Sequence, residues 1–374
     1  MFSLLKLSEE DKNILKRTLY LAIIIRIALF ITAYVVGYSI AKYNVPIHNF
    51  IYLIFAKWDA INFLYLAEYG YTNFGEERKF LAYLPLYPAL INVFSYIFQT
   101  YMASALFINF VCSIIAGFYI QKLALLDYDD SFSKRVLYYF YLFPIGYFLF
   151  VPYTEALFLA LVISSFYYMR NKKWLISCLL ISLSTATRIQ GLGLIPIVLI
   201  EMYLNKREIK IKHLFYSLIL PLGFIVYLFI NYYISGNFFE FLKIQKEYFY
   251  HQNILPTTLI YETIKEIINS PLNERRILYF EFRLIFILFA IVIFILSFKW
   301  MRFSYQLFSW SQLLVLMTDS WPISMPRYIF SIFTIYFVLA YYIKDTEKFI
   351  LSIIFSSILM TCFFCMYSVG NWAF

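Results

Sequence analysis

Residues 170–212 read RNKKWLISCLLISLSTATRIQGLGLIPIVLIEMYLNKREIKIK, and this pattern decides the fold. Two short basic clusters, Arg170/Lys172/Lys173 and Lys206/Arg207/Lys210/Lys212, flank apolar sequence interrupted at Thr187-Arg188-Ile189-Gln190-Gly191. Short loops rich in Lys and Arg stay on the cytoplasmic side of a membrane. The apolar sequence between them must then go out and come back as a hairpin, with Arg188 near its tip on the outer side.

The same texture runs through the chain. Of its 374 residues, 63% are hydrophobic and 14% charged, where a soluble domain has about half and about a quarter. Apolar runs of roughly 15 to 25 residues recur at 18–40, 103–124, 136–150, 155–169, 174–187, 189–204, 213–235, 282–298, 303–319, 327–343 and 347–368. The expectation is an all-α polytopic integral membrane protein, one transmembrane domain over 1–374, with about eleven spans. The first apolar run is too long for a removed signal peptide and has no small-residue cleavage site, so it reads as a retained span. It contains Arg26, to which no role is assigned.

The positive-inside rule places the polar segment 1–17, the 125–135 loop, Lys299/Arg302 and Lys344/Lys348 in the cytoplasm. Segments 41–101 and 236–281 become long outer loops able to cover a shared cavity. The prolines of Leu84-Pro85-Leu86-Tyr87-Pro88 suit a kinked interfacial or re-entrant helix. The net charge of +9 is spread over short loops, so it reads as a topology signal and not as a nucleic-acid footprint. Cys362-x-x-Cys365 has no polar flank, no disulfide framework is implied, and the three histidines are scattered. No Gly-rich nucleotide loop or Walker motif is present.

Segment Lys57-Trp58-Asp59-Ala60-Ile61-Asn62-Phe63-Leu64-Tyr65-Leu66-Ala67-Glu68-Tyr69-Gly70-Tyr71 follows the first span. It reads as a short amphipathic helix with Asp59 and Asn62 on one face, stopped by Gly70. Every other polar motif of note falls on the same outer face: Pro152-Tyr153-Thr154-Glu155, Thr187-Arg188, Asp319-Ser320-Trp321, Pro326-Arg327-Tyr328 and Gly370-Asn371-Trp372. Charges near span ends are costly, so Glu155, Arg188 and Arg327 are functional-site candidates. Each has a plainer reading as well. Asp59 can cap its helix, Glu155 and Asp319 can face water, and Arg188 and Arg327 can meet lipid headgroups.

Together these motifs resemble, in order and spacing, the PIG-V-type mannosyltransferases, which are multi-spanning GT-C glycosyltransferases. The resemblance rests on Trp58-Asp59, Leu66 to Tyr71, Leu84 to Pro88, Tyr153-Thr154-Glu155-Ala156-Leu157-Phe158 and Thr187 to Gly191. It implies a polyprenyl- or dolichyl-phosphate-mannose donor used on the extracytoplasmic or lumenal face, and Asp59 as the catalytic acidic residue. It implies a glycolipid or glycan acceptor, with chemistry of the kind used in GPI-anchor assembly. The membrane is the plasma membrane in a prokaryote and the endoplasmic reticulum in a eukaryote.

A lipid-phosphate sugar is already activated, so the reaction needs a base for the acceptor hydroxyl and cations for the departing phosphate. Asp59 is the expected general base. Glu155 is a second acid, to orient the acceptor or to bind a divalent cation, the one cofactor considered. Arg188 and Arg327 are expected on the donor phosphate, since a guanidinium forks onto phosphate oxygens. Trp58, Asn62, Gln190 and Asp319 are expected around the substrate cavity. Two other readings stand beside the enzyme: a lipid-linked sugar transporter or flippase, and a non-catalytic subunit of a glycosyltransferase complex.

Overall fold

The computed structural model describes residues 8–39 and 45–374. The first seven residues of the polar N-terminal segment, and the junction at 40–44 where the first span was expected to end, lie outside the described residues. So does the side chain of His48.

The chain is all-α, 76% helical, and embeds in a membrane. Among the described residues, five helices are long and apolar enough to cross a bilayer: Glu9–Ser39, Tyr101–Ala124, Ile211–Ser235, Glu274–Ser297 and Thr346–Ser368. Their apolar residues point outward as well as inward. Ile23, Ile27, Ile31 and Val35 on the first helix, and Ile350, Leu351, Ile354 and Phe355 on the last, are all exposed. A helix apolar all round is a membrane helix.

Other stretches expected as spans form shorter or broken helices. The run 136–150 ends its α-helix at Leu142 and continues as a 3₁₀ turn, Gly146–Leu149, because Pro144 cannot continue a helix. The run 327–343 divides into Met325–Phe330 and Thr334–Tyr342. Glu155–Arg170 has 16 residues and Phe303–Met317 has 15, short of the ~20 that span a bilayer upright.

The first long loop is two bent pairs. Ile47–Phe55 leads into Asp59–Tyr69, and Glu76–Ala82 into Leu86–Phe98, bent by 118° and 108°. If each pair counts as one span, the total rises to seven.

Glu155–Arg170 forms the axis of the packing. Its residues from Glu155 to Phe166 are all buried, between Tyr101–Ala124 on one side and Trp174–Thr185 on the other. It also defines two ends. At its C-terminal end Arg170 forks onto Asp127 at 2.6 and 2.8 Å, and Arg302 lies 3.6 Å from the same carboxylate. Lys172 binds Glu208 at 2.5 Å, and Lys122 binds Asp11 at 2.6 Å. The basic loops that read as cytoplasmic thus gather at one end. The polar motifs gather at the other, where Glu155 begins the helix.

Candidate active site

Asp59 is the first residue of its helix, as an acid at the positive end of a helix dipole should be. The segment before it is held from behind. Tyr367 Oη donates to the Phe55 carbonyl at 2.9 Å, and Tyr153 Oη to the Lys57 carbonyl at 3.2 Å. Trp58 has φ 52° and ψ −126°, a conformation rare outside glycine that costs about 1–3 kcal/mol and occurs mostly at functional sites. Gly70 closes the helix at φ 74° and ψ −166°. Gly70 thus stops the helix as expected, in the mirror-extended region essentially restricted to glycine.

Glu155 likewise begins its helix. The preceding loop is fixed by buried Asn109, which donates to the carbonyls of Val151 and Tyr153. Arg188 follows the turn that ends Trp174–Thr185, its N–H bonded to the Ser184 carbonyl at 3.0 Å. Gly191, three residues on, has no space for a side chain: a Cβ would lie 2.6 Å from Ser184 backbone atoms. Glycine in this motif therefore lets the turn fold back tightly enough to deliver Arg188. Arg327 follows Pro326, which sits in the first turn of Met325–Phe330, where a missing N–H costs nothing.

These four segments converge. Arg327 Nη1 donates to Asp59 Oδ2 at 3.1 Å, and its Nε lies 3.4 Å from Glu155 Oε1. Arg188 Nη1 donates to Glu155 Oε1 and, at 3.2 Å, to Thr154 Oγ1. Charges therefore alternate as Asp59, Arg327, Glu155, Arg188. Rings brace the guanidiniums: Tyr153 and Tyr328 lie 5.1 and 5.2 Å from Arg327, and Phe158 lies 5.7 Å from Arg188.

Exposure separates the two acids. The Glu155 side chain is 1% exposed and the Asp59 side chain 33%. Glu155 Oε2 is buried with no hydrogen-bond partner among the described residues. Arg188 donates only through Nη1 in the bonds seen among them, so its Nε and Nη2 hydrogens remain for a ligand.

All four line one cavity of about 240 Å³. Gln190 is on its wall, the fifth of the eight residues singled out from sequence. The other three stand elsewhere. Asn62 is one layer back and donates to Tyr83 Oη at 2.8 Å; Tyr83 in turn donates to Asp59 Oδ1 at 2.9 Å. Trp58 is off the wall and packs edge-on against Trp372, which does line the cavity. Asp319 borders a neighbouring chamber, paired with His251 at 2.6 Å. Tyr83, Phe249 and His251 also line the wall and were not singled out from sequence. They sit in segments with no polar motif. Only the expectation that 41–101 and 236–281 cover one cavity pointed toward them.

That covering is pinned by Arg78, which binds Glu240 and lies 3.4 Å from Glu247. The hydrogen bond that Arg78 donates to Glu240 raises Arg78 above the ordinary arginine value. Burial alone would raise Glu240, but hydrogen bonds from Arg78, Asn237 and Lys243 outweigh it and hold Glu240 below the ordinary glutamate value.

The chain was compared with protein-family models, curated proteins and solved structures. It matches none of them. The site therefore has to be judged on its own chemistry. No group of three or more His, Cys, Asp or Glu able to hold a metal ion is found among the described residues. Glu155, considered for a divalent cation, has two guanidiniums as neighbours instead. An arrangement of two carboxylates and two guanidiniums can bind an anionic group through the arginines while a carboxylate accepts a proton from a hydroxyl beside it.

Proposed function

We propose that the chain is a membrane glycosyltransferase that moves a sugar, most simply mannose, from a polyprenyl- or dolichyl-phosphate donor to a hydroxyl-bearing acceptor. The observation that carries this reading is the convergence of Asp59, Glu155, Arg188 and Arg327, from four distant segments, on one cavity. The motifs of the resemblance thus meet in space, at the end of the helix packing opposite the basic loops. By the positive-inside rule that end is extracytoplasmic or lumenal.

The geometry suits the following roles. Arg188 has N–H groups to spare, and it and Arg327 hold the donor phosphate and stabilise the charge it gains as the sugar leaves. Carboxylate partners already hold both guanidiniums in place, so little reorganisation is needed when the phosphate arrives. Asp59 takes the acceptor's proton. Its oxygens have one partner each, and a carboxylate offers about four lone-pair sites, so it can accept another hydrogen bond without leaving its pair. The acceptor oxygen bonds to the anomeric carbon, the carbon–phosphate oxygen bond breaks, and the lipid phosphate departs. Attack opposite the phosphate inverts the anomeric centre, giving an α-mannoside from a β-linked donor.

A lipid-linked sugar transporter would need a path to both faces. The cavity is lined only by residues from the Glu155 end, and Asp127, Arg170 and Arg302 take no part in it, which favours the enzyme.

The test is transfer of labelled mannose from a polyprenyl-phosphate donor in membranes carrying the protein, with Asp59→Asn membranes matched for protein level. We expect transfer in the parent and a loss of about 10²-fold or more in the variant, the scale of general-base catalysis. Equal transfer in both would remove Asp59 from the reaction. No transfer from any sugar-phosphate lipid would favour the transporter or the accessory subunit.

A further inference from the structure

The first long helix carries a cation that the charged cavity does not use. Arg26 lies nine residues beyond Arg17, which pairs with Asp130 at 3.0 Å at the end where the basic loops gather. At about 1.5 Å per residue, Arg26 stands roughly 13 Å farther along the helix, near the middle of a hydrocarbon core of about 30 Å. A charge at that depth is costly and marks a functional candidate. Every partner Arg26 has among the described residues is neutral.

The guanidinium grips two consecutive residues on each of two segments. On Tyr101–Ala124 it lies 4.7 Å from the Phe110 ring, and Nη2 donates to the Asn109 carbonyl at 3.1 Å and to Ser113 Oγ at 2.9 Å. On the stretch that leaves the Gly146–Leu149 turn it lies 4.4 Å from the Phe150 ring, with Nη2 3.5 Å from the Leu149 carbonyl. Asn109 then joins the same two segments a second time, its side chain donating to the carbonyls of Val151 and Tyr153.

The stretch held in this way runs straight into the site. Residues 150–154 lie between the 3₁₀ turn and the helix that Glu155 begins, so no helical ladder fixes their path and other groups must do so. Arg26 holds the near end and Asn109 the far end. Thr154 and Glu155 follow, both bonded to Arg188. Tyr153 Oη reaches the Lys57 carbonyl, two residues before Asp59. The acceptors, in turn, do not depend on Arg26. The Ala22 and Asn109 carbonyls lie inside helices that already supply a backbone donor, and Ser113 Oγ donates to the Phe110 carbonyl at 2.8 Å. Removing the guanidinium therefore orphans neither of these carbonyls nor Ser113, and it removes a buried charge.

We infer that Arg26 is a positioning residue: a clamp within the membrane that, in series with Asn109, sets where Tyr153, Thr154 and Glu155 stand in the charged cavity. This goes beyond the glycosyl-transfer reading and holds for any reaction the cavity serves. A guanidinium kept for stability alone makes the opposite forecast, a lower melting point with no selective effect on 150–158.

The experiment compares Arg26→Met and Arg26→Lys with the parent, purified in detergent, by thermal unfolding and by hydrogen exchange resolved along the chain. Arg26→Met should melt no lower than the parent, while exchange across 150–158 quickens about tenfold, the effect of losing one or two net hydrogen bonds. Exchange within Trp174–Thr185, which Arg26 does not touch, should stay as it was. Arg26→Lys keeps a donor for the Asn109 and Leu149 carbonyls and should stay closer to the parent across 150–158. Unchanged exchange in Arg26→Met, exchange quickened evenly along the chain, failure of Arg26→Met to fold, or an Arg26→Lys as loose as Arg26→Met would each overturn the proposal. In the mannose-transfer assay, kcat should fall about tenfold or more in Arg26→Met, because a small misplacement of reacting groups is enough; a full kcat beside a loosened 150–158 would overturn it too. A parent that transfers no sugar would instead defeat the transferase reading and leave the exchange result to decide this one.

Discussion

Glu155 and Asp59 are both acids at helix starts, but burial gives them different work. Glu155 is enclosed between Arg188 and Arg327. Replacing it with leucine leaves buried guanidiniums short of a counter-charge, a change that costs about 3–5 kcal/mol. Asp59 is a third exposed, and Arg327 keeps Glu155 as a neighbour when Asp59 is neutralised, so Asp59→Asn should cost under about 1 kcal/mol. Thermal unfolding of the purified variants in detergent checks the ranking. A melting point lowered more by Asp59→Asn than by Glu155→Leu would contradict it. The same ranking makes Asp59→Asn a fair probe of activity, since its protein should still be folded. At this scale the charged residues were legible in the sequence because an ion near a span end is conspicuous. Their pairing was not: nothing in the chain order says that the arginines expected on phosphate also hold the two acids. Asn62 was legible as a neighbour of Asp59 by helical spacing, but its route of action through Tyr83 was not, because Tyr83 is one tyrosine among 36.

The elements that deliver these residues owe their shape to a few backbone decisions. Gly191 lets the Ile189–Gly193 turn press against Ser184. In Gly191→Ala the new Cβ must push that turn off the backbone and carry Arg188 with it. A displacement near 1 Å is enough to lower turnover by about 10²-fold. We expect Gly191→Ala to lose mannose transfer while melting far closer to the parent than Glu155→Leu does. Full transfer in Gly191→Ala would separate the turn from the chemistry. The cover over the site depends instead on charge. Arg78 ties the Glu76–Ala82 turn to the Glu240–Tyr248 helix through Glu240. Because Glu240 is held below its ordinary value, its contribution is fully present above the unfolded-state glutamate value and is lost as pH falls through the lowered one. Hydrogen exchange across 240–248 should therefore be independent of pH near neutrality, allowing for the intrinsic exchange rate, and should quicken in acid. Glu240→Gln should remove that acid transition. Exchange in the parent that shows no such transition would refute the tie. Helix positions were largely readable from the apolar runs, though not how many of them cross the membrane. Interruptions were less so: Pro144 marks the break after Leu142, but the break at 331–333 lies inside apolar sequence without proline or glycine, where hydropathy cannot tell a span from two short buried helices.

The whole molecule separates its polar chemistry by end, and the separation carries a prediction about orientation. Arg170, Lys172, Lys122 and Arg302 share one end through pairs with Asp127, Glu208 and Asp11, while the cavity and its chamber open at the other. The sequence argument used loop charge alone, and the packing brings those same loops together without reference to charge counting. If both follow one topology, a membrane-impermeant maleimide must distinguish the ends in intact cells. Lys172 and Asn253 are exposed positions suited to single cysteines. The native background is small: Cys112 and Cys178 are buried, Cys362 is exposed and Cys365 is half-buried, so Cys362→Ser/Cys365→Ser provides the parent. Asn253→Cys should label in intact cells and Lys172→Cys only after the membrane is opened, since a short Lys/Arg loop stays inside. Labelling of Lys172→Cys alone in intact cells would invert the protein and place the site on the side where nucleotide sugars are available, removing the reason for a lipid-phosphate donor. Labelling of both from one side would break the two-ended arrangement itself. The reading of the site as a glycosyltransferase that works from a lipid donor therefore depends on which of these two cysteines the reagent reaches.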